Sequence, residues 1–196
     1  MPLTSRSVAH ARWVSHVNGV NPPAGLRAWL TDTASLTRKL TACSGQFRVR
    51  LLRQQHGRCL ADELKALELP RRYCVQEREV LLQCDGSPMV FAHTIVPLST
   101  NASDWPFFRA LGERPLGASL FSDPRIVRGP SQYARLPVTH PLVRRASSLL
   151  GTIGHPLYAR RCLYRRKHGA LLVTEVFLPA IAGLRTSINE TNKRSI

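Results

Sequence analysis

A chain of 196 residues has the size of one domain and is long enough to bury a core without disulfide or metal staples. With 43% hydrophobic and 20% charged residues it has the balance of a soluble globular protein, and it lacks the apolar run of roughly 20 residues that spans a bilayer. The formal charge of +16 favours polyanions, anionic membranes and small anionic substrates alike, and residues 114–168 concentrate it, with eleven Lys or Arg against the single acid Asp123.

Residues 1–20 read as a flexible extension, 21–182 as a single domain containing a basic insertion at 128–156, and 183–196 as a tail. In NPPAGLRAWLTDTASLTRKL, Leu26, Trp29 and Leu30, then Leu36 and Leu40, fall at helical spacing. This predicts two short helices joined by a turn, with Asp32 or Thr33 starting the second. QFRVRLLR alternates Phe47, Val49 and Leu51 with Arg48, Arg50 and Arg53, slipping by one residue near its end, as in a strand with arginines facing solvent. Asp85-Gly86 between EREVLLQC and SPMVFAHTIVPLS is the dipeptide of a tight hairpin turn. Ser103 is placed to cap a helix over DWPFFRALG ended by Gly112, and PLGASLF forms a further short turn. SDPRIVRGPSQYARLPVTHPLVRRASSLLGTIGHP, rich in Pro, Gly and Arg, reads as loop apart from a basic amphipathic helix at PLVRRASSLLG, which also offers a weak membrane-surface contact. A second hairpin, RCLYRRKHGALLVTEVFLPA, turns near His168-Gly169. Hairpins separated by short helices define an α+β fold, an antiparallel β-sheet with helices packed on one side.

Within LLVTEVFLPA one carboxylate, Glu175, shares a strand face with Val173 and Phe177, and both faces of that strand are apolar. Ionising a carboxylate away from water is costly unless a cation or strong donors meet it. Arg78 likewise falls on the face of Val80 and Leu82, opposite Glu77 and Glu79. Two readings follow. Either Arg78 pairs with Glu175, Glu77 or Glu79 for structural reasons, or Arg78 and Glu175 form a pocket for an anionic ligand with a hydroxyl at its far end, since Arg grips a carboxylate through two parallel hydrogen bonds.

Other signals are weaker. His93 is isolated and reads as a packed structural residue; His56, His140, His155 and His168 fall in loops or turns without metal-ligand spacing. The five cysteines (43, 59, 74, 84 and 162) are odd in number and contain no CxxC, which fits a reducing cytoplasm and neither a disulfide framework nor a zinc site. YRRKHG with Arg160 and Arg161 lacks interleaved aromatics beyond Tyr158 and Tyr164, so it reads as a solvated strand face rather than a nucleic-acid patch.

Taken in order, REVLLQCDGSP, HTIVPLST, LGERPLGASLF and GALLVTEVFLPA resemble the motifs of chorismate lyase, over roughly Trp29 to Ala180 with the basic segment omitted. The resemblance implies elimination of pyruvate from chorismate to give 4-hydroxybenzoate, the entry step to the ubiquinone head group, by a cytoplasmic monomer using no cofactor and no metal. It implies an internal site under helix-turn flaps. Carried over by position, Arg78 binds a carboxylate, Glu175 meets the ring hydroxyl, and Leu36 and Leu116 contribute main-chain contacts; relatives often have Met where this chain has Leu36. Glu175 is then either the base that takes the C4 hydrogen or only the group that orients the hydroxyl while the hydrogen passes to the enolpyruvyl methylene. A related fold also serves as the ligand-sensing part of transcriptional regulators, the alternative from another class.

Overall fold

The Asp85-Gly86 hairpin forms the centre of a computed structural model that describes residues 11–69 and 73–184. Asp85 and Gly86 both have positive φ (49° and 79°), the geometry for which this dipeptide is suited. They join β2 (Cys74–Cys84) to β3 (Ser87–Pro97). The second hairpin joins β5 (Leu157–Arg166) to β6 (Gly169–Phe177), with Lys167 taking the positive φ. With β1 (Phe47–Arg58) and β4 (Val127–Leu136) at the edges, the sheet runs β1-β2-β3-β6-β5-β4, antiparallel throughout.

The antiparallel α+β class is the one expected. The helices, expected on one side, divide between the two faces. Along each strand alternate residues point to opposite faces, so Arg78, Val80 and Leu82 look one way and Glu77, Glu79 and Leu81 the other. The first face is covered by α1 (Ala24–Leu30), α2 (Leu36–Ala42) and α5 (Leu116–Ser122). The second is covered by α3 (Ala61–Ala66) and α6 (Pro141–Leu150), whose Leu142, Val143 and Ala146 pack on Leu81, Phe91 and Val176. The apolar stripe of α6 thus lies on the sheet, and Leu149 and Leu150 are its exposed apolar residues. No helix among the described residues is long and apolar enough to cross a membrane.

The slip near the end of β1 is a register shift between Leu51 and Arg53. Ser103 does not cap a helix. It lies inside α4 (Leu98–Asp104), which ends before Trp105-Pro106 because a residue preceding proline is disfavoured in the helical region. Residues 105–111 instead form turns that bury Trp105 and Phe108 completely. The second helix starts from Ser35, whose side chain accepts from Arg38 N, rather than from Asp32 or Thr33.

Much of the basic segment read as loop is strand β4. Its ladder with β5 shifts between Arg128 and Ser131, so Gly129 and Pro130 form a bulge on the sheet edge, where a missing N–H is tolerated. A Cβ at Gly129 would meet the Leu163 carbonyl at 3.1 Å, so a larger residue is crowded there. Within residues 11–20, Val14 bridges Tyr133 of β4 and Val17 is buried in the core. Residues 1–10 and 185–196 of the expected extension and tail lie outside the described residues.

Candidate active site

Register assembles the site. On β2, β3, β6 and β5, one cross-strand row reads Val80, Ala92, Glu175 and Arg160, and the next reads Arg78, Thr94, Val173 and Cys162. All eight line a single cavity of ≈ 710 Å³, mouth included, between the sheet and the N-termini of α2 and α5. Leu36 and Leu116, the first residues of those helices, also line it. The two helices approach closely at Gly117, where a Cβ would lie 3.3 Å from Ser35 Oγ. The structure therefore brings together Arg78, Glu175, Leu36 and Leu116, taken from four separate parts of the sequence.

Arg78 is 2% exposed. Its Nη2 donates to the carbonyls of Gly112 (2.8 Å) and Arg114 (3.0 Å), while Nε is buried without a hydrogen-bond partner among the described residues. Neither structural pairing open to it in the sequence is made. Glu175 is taken by Arg160, and Glu77 and Glu79 point to the opposite face. Burial lowers the Arg78 pKa to about 10, which leaves the guanidinium charged at neutral pH. The result is a fixed cation, aimed into a cavity, that meets no anion among the described residues.

Glu175 is held by Arg160, whose Nε and Nη2 donate to Oε2 at 2.7 and 2.6 Å. Arg160 Nη1 also reaches the carbonyls of Trp29, Leu30 and Asp32 at the end of α1. Burial alone would lower the Arg160 pKa; the adjacent carboxylate outweighs it and leaves the value raised. The reading of YRRKHG and its neighbours as a solvated face holds for Arg165, Lys167 and His168, which are exposed, and fails for Arg160, Arg161 and Arg166, which are 4%, 5% and 7% exposed. The reason is position: β5 lies between β4 and β6 and is covered on both faces. Arg161 stacks on Trp13 and Arg166 pairs with Asp123.

Three further cavity residues escaped the sequence reading. Arg128 reaches the cavity from β4, with Nη2 on Ser131 Oγ (3.0 Å) and Nε buried without a partner among the described residues. Tyr164 and Cys162 lie beside it, the phenol pushed up to about 12 and the thiol raised, both chiefly by burial. Both are therefore neutral near pH 7. Three guanidiniums (78, 128, 160) against the one carboxylate of Glu175 leave the lining with a charge of +2.

His93 faces away from this cavity, 1% exposed, with Nδ1 and Nε2 each 3.1 Å from a carboxylate oxygen of Glu79 and Glu63. Arg53 and Arg145 neutralise Glu77 and Glu79 in the same cluster. Glu77, Glu79 and His93 are close enough to share a cation, but the two guanidiniums already fill that role. His140 is the N-cap of α6, accepting from Leu142 N, and His56 lies on β1 rather than in a loop.

A positively charged cavity between one face of an antiparallel sheet and two helical caps defines the class, an α+β protein with an internal small-molecule site. A family model described as chorismate lyase matches residues 8–184, and the chain belongs to the chorismate lyase family. It is 51% identical over 160 residues to a protein of Ralstonia nicotianae named probable chorismate pyruvate-lyase, covering 79% of this chain and 81% of that one. It is 48% identical over 172 residues to one of the same name from Cupriavidus metallidurans, covering 86% and 80%. Among solved structures it resembles the effector domain of PhnF from Mycobacterium smegmatis, with a TM-score of 0.52 at 16% identity over 76% of this chain and 91% of that domain, a likeness of fold.

Proposed function

We propose that the cavity converts chorismate to 4-hydroxybenzoate and pyruvate, supplying the aromatic precursor of the ubiquinone head group. The observation that carries this reading is Arg78, a buried guanidinium in the cavity lining that meets no carboxylate among the described residues, on the same sheet face as Glu175 and two strands from it. Strands β2 and β6 are two apart, about 10 Å between backbones, so inward-reaching side chains grip opposite ends of a six-membered ring. Arg78 takes the ring carboxylate, with main-chain groups of Leu36 and Leu116 beside it. Glu175 accepts from the C4 hydroxyl, and Arg160 fixes the rotamer of Glu175.

Loss of the C4 hydrogen and cleavage of the C3–oxygen bond leave an aromatic ring and pyruvate, and aromatisation supplies much of the driving force. The protein's part is to hold the enolpyruvyl group in the reactive conformer and to stabilise charge on the departing oxygen. We favour direct passage of the C4 hydrogen to the enolpyruvyl methylene, because Glu175, already bonded to Arg160 through Oε2, is better placed to orient a hydroxyl than to remove a carbon-bound hydrogen. Deuterium placed at C4 is then expected in the methyl group of pyruvate, and its absence there rules out the direct route.

The test of the assignment is incubation of purified protein with chorismate, without added metal or cofactor, following both products, alongside Arg78→Ala and Glu175→Ala. Stoichiometric appearance of the two products, lost in both variants, is expected. Binding of 4-hydroxybenzoate without turnover of chorismate overturns the enzymatic reading in favour of ligand sensing.

A further inference from the structure

We propose that Arg128 is the second carboxylate anchor of the site, binding the enolpyruvyl carboxylate of the substrate while Arg78 holds the carboxylate on the ring; the inference rests on the reading of the cavity given above. It starts from the bulge in β4. In an unbroken ladder Arg128 would oppose Arg165 and point to the far face of the sheet, because Ser131 opposes Cys162 and each step along one strand is matched by one on the other. The extra residue at Gly129-Pro130 puts Arg128 opposite Tyr164 instead, on the cavity face with Ser131, whose hydroxyl accepts from Nη2. Gly129 fits there because a Cβ would crowd the Leu163 carbonyl. The local backbone is thus built in the form that turns this guanidinium inward.

Strand order then gives the spacing. Glu175 on β6 is two strands from Arg78 on β2 and two strands from Arg128 on β4, so the cations flank it on either side, each about 10 Å away between backbones. In chorismate the C4 hydroxyl lies opposite the ring carboxylate, and the enolpyruvyl ether leaves from the adjacent carbon. With the ring running from Arg78 to Glu175, the side chain projects past Glu175 toward β4. Arg160, the other guanidinium of the lining, is committed to Glu175 and to three carbonyls. Arg128 retains a buried donor with no partner among the described residues, and its neighbours Tyr164 and Cys162 are neutral. A lining of +2 matches a substrate with two carboxylates, and each unpaired guanidinium takes one.

The experiment compares the two anions that share the ring end of the site. In Arg128→Gln, KM for chorismate is expected to rise about 10- to 100-fold, the usual loss for one charge-assisted contact, while inhibition by 4-hydroxybenzoate, which lacks the second carboxylate, changes less than about 3-fold. Arg128→Lys recovers part of the loss, because the charge matters more than the fork. Arg78→Gln weakens both ligands together. Retained 4-hydroxybenzoate binding shows that Arg128→Gln is folded, so a structural role for Arg128 predicts equal weakening of both ligands and overturns the proposal. So does an unchanged chorismate KM in Arg128→Gln. Absence of chorismate turnover by the unaltered protein refutes the reading of the cavity itself, a result distinct from either.

Discussion

Replacing Arg78 by methionine is expected to stabilise the ligand-free protein while abolishing ligand binding. The guanidinium is buried, meets no carboxylate among the described residues, and has its pKa lowered from the ordinary arginine value to about 10 by desolvation alone. That shift corresponds to roughly 3 kcal/mol of unfavourable electrostatics. Its bonds to the carbonyls of Gly112 and Arg114 return about 1–2 kcal/mol. Methionine fills a similar volume with apolar atoms, and the two carbonyls belong to a half-buried and an exposed turn residue, so water replaces the arginine as their donor. The net expectation is a gain of about 1–2 kcal/mol, or a Tm higher by about 2–8 °C in a chain of this size. In the same thermal melts, 4-hydroxybenzoate at a hundredfold its Kd raises the Tm of the unaltered protein by the equivalent of about 2.7 kcal/mol and leaves Arg78→Met unmoved. The alkaline limb gives an internal check. A cation whose folded pKa is depressed destabilises fully below that value, and the penalty fades as pH rises from about 10 toward the ordinary arginine value, so the two proteins converge in stability above pH 10. A ligand-free Arg78→Met that melts well below the unaltered protein makes Arg78 a structural element, and the site then loses the feature on which its assignment rests.

Two other expectations concern the remaining buried ions. Arg160→Met leaves Glu175 without its cation and should cost about 3–5 kcal/mol in urea unfolding, whereas the double variant Arg160→Met, Glu175→Gln should recover a coupling energy of at least about 2 kcal/mol; a coupling below about 0.5 kcal/mol contradicts the buried pair. His93 on the other face has its pKa raised from 6.5 to about 9, because the carboxylates of Glu63 and Glu79 outweigh the effect of burial. Its contribution, roughly 3 kcal/mol, is therefore complete below pH 6.5 and lost as pH rises through 9. Denaturant melts across that window should show a falling stability that His93→Gln flattens, and parallel profiles for the two proteins refute the ion pairing.

Period-two alternation placed Arg78 and Glu175 inward, and it did so because both lie in the interior of strands whose other residues are apolar enough to fix the face. The Asp-Gly turn was legible for an equally local reason, its demand for positive φ. Arg160 was lost through register. The hairpin turn is Lys167-His168, which sets Arg160 opposite Glu175; a turn one residue later sets Cys162 there and moves Arg160 opposite Phe177, on the same face but no longer the direct neighbour of the carboxylate. Arg128 was lost through the bulge, since proline and glycine read as loop when their context is hidden, although an edge strand tolerates both. α3 went unread because six residues carry too little periodicity to declare a helix. Which arginines were buried depended on β5 being an interior strand, and strand order is a long-range property that no local pattern encodes.

The sheet carries buried ions on both faces, and the two faces resolve them differently. On the side of α3 and α6, Glu63, Glu77 and Glu79 meet His93, Arg53 and Arg145 at close range, so the charges of the cluster cancel. Such a cluster sets geometry and has no need of a ligand. On the cavity side the same accounting leaves two guanidiniums over, whose hydrogen bonds to neutral groups offset burial only in part until carboxylates arrive. A ligand bearing both on one framework is favoured beyond the sum of its ends, because the second contact forms at high effective concentration once the first is made. Under the proposed reaction this advantage exists only for the substrate. Cleavage divides one dianion into two separate monoanions, each holding a single cation, and the linkage that made binding cooperative disappears in the step that forms the products. A site with its two spare cations on opposite sides of the bond being broken therefore favours substrate over products without any change in the shape of the protein.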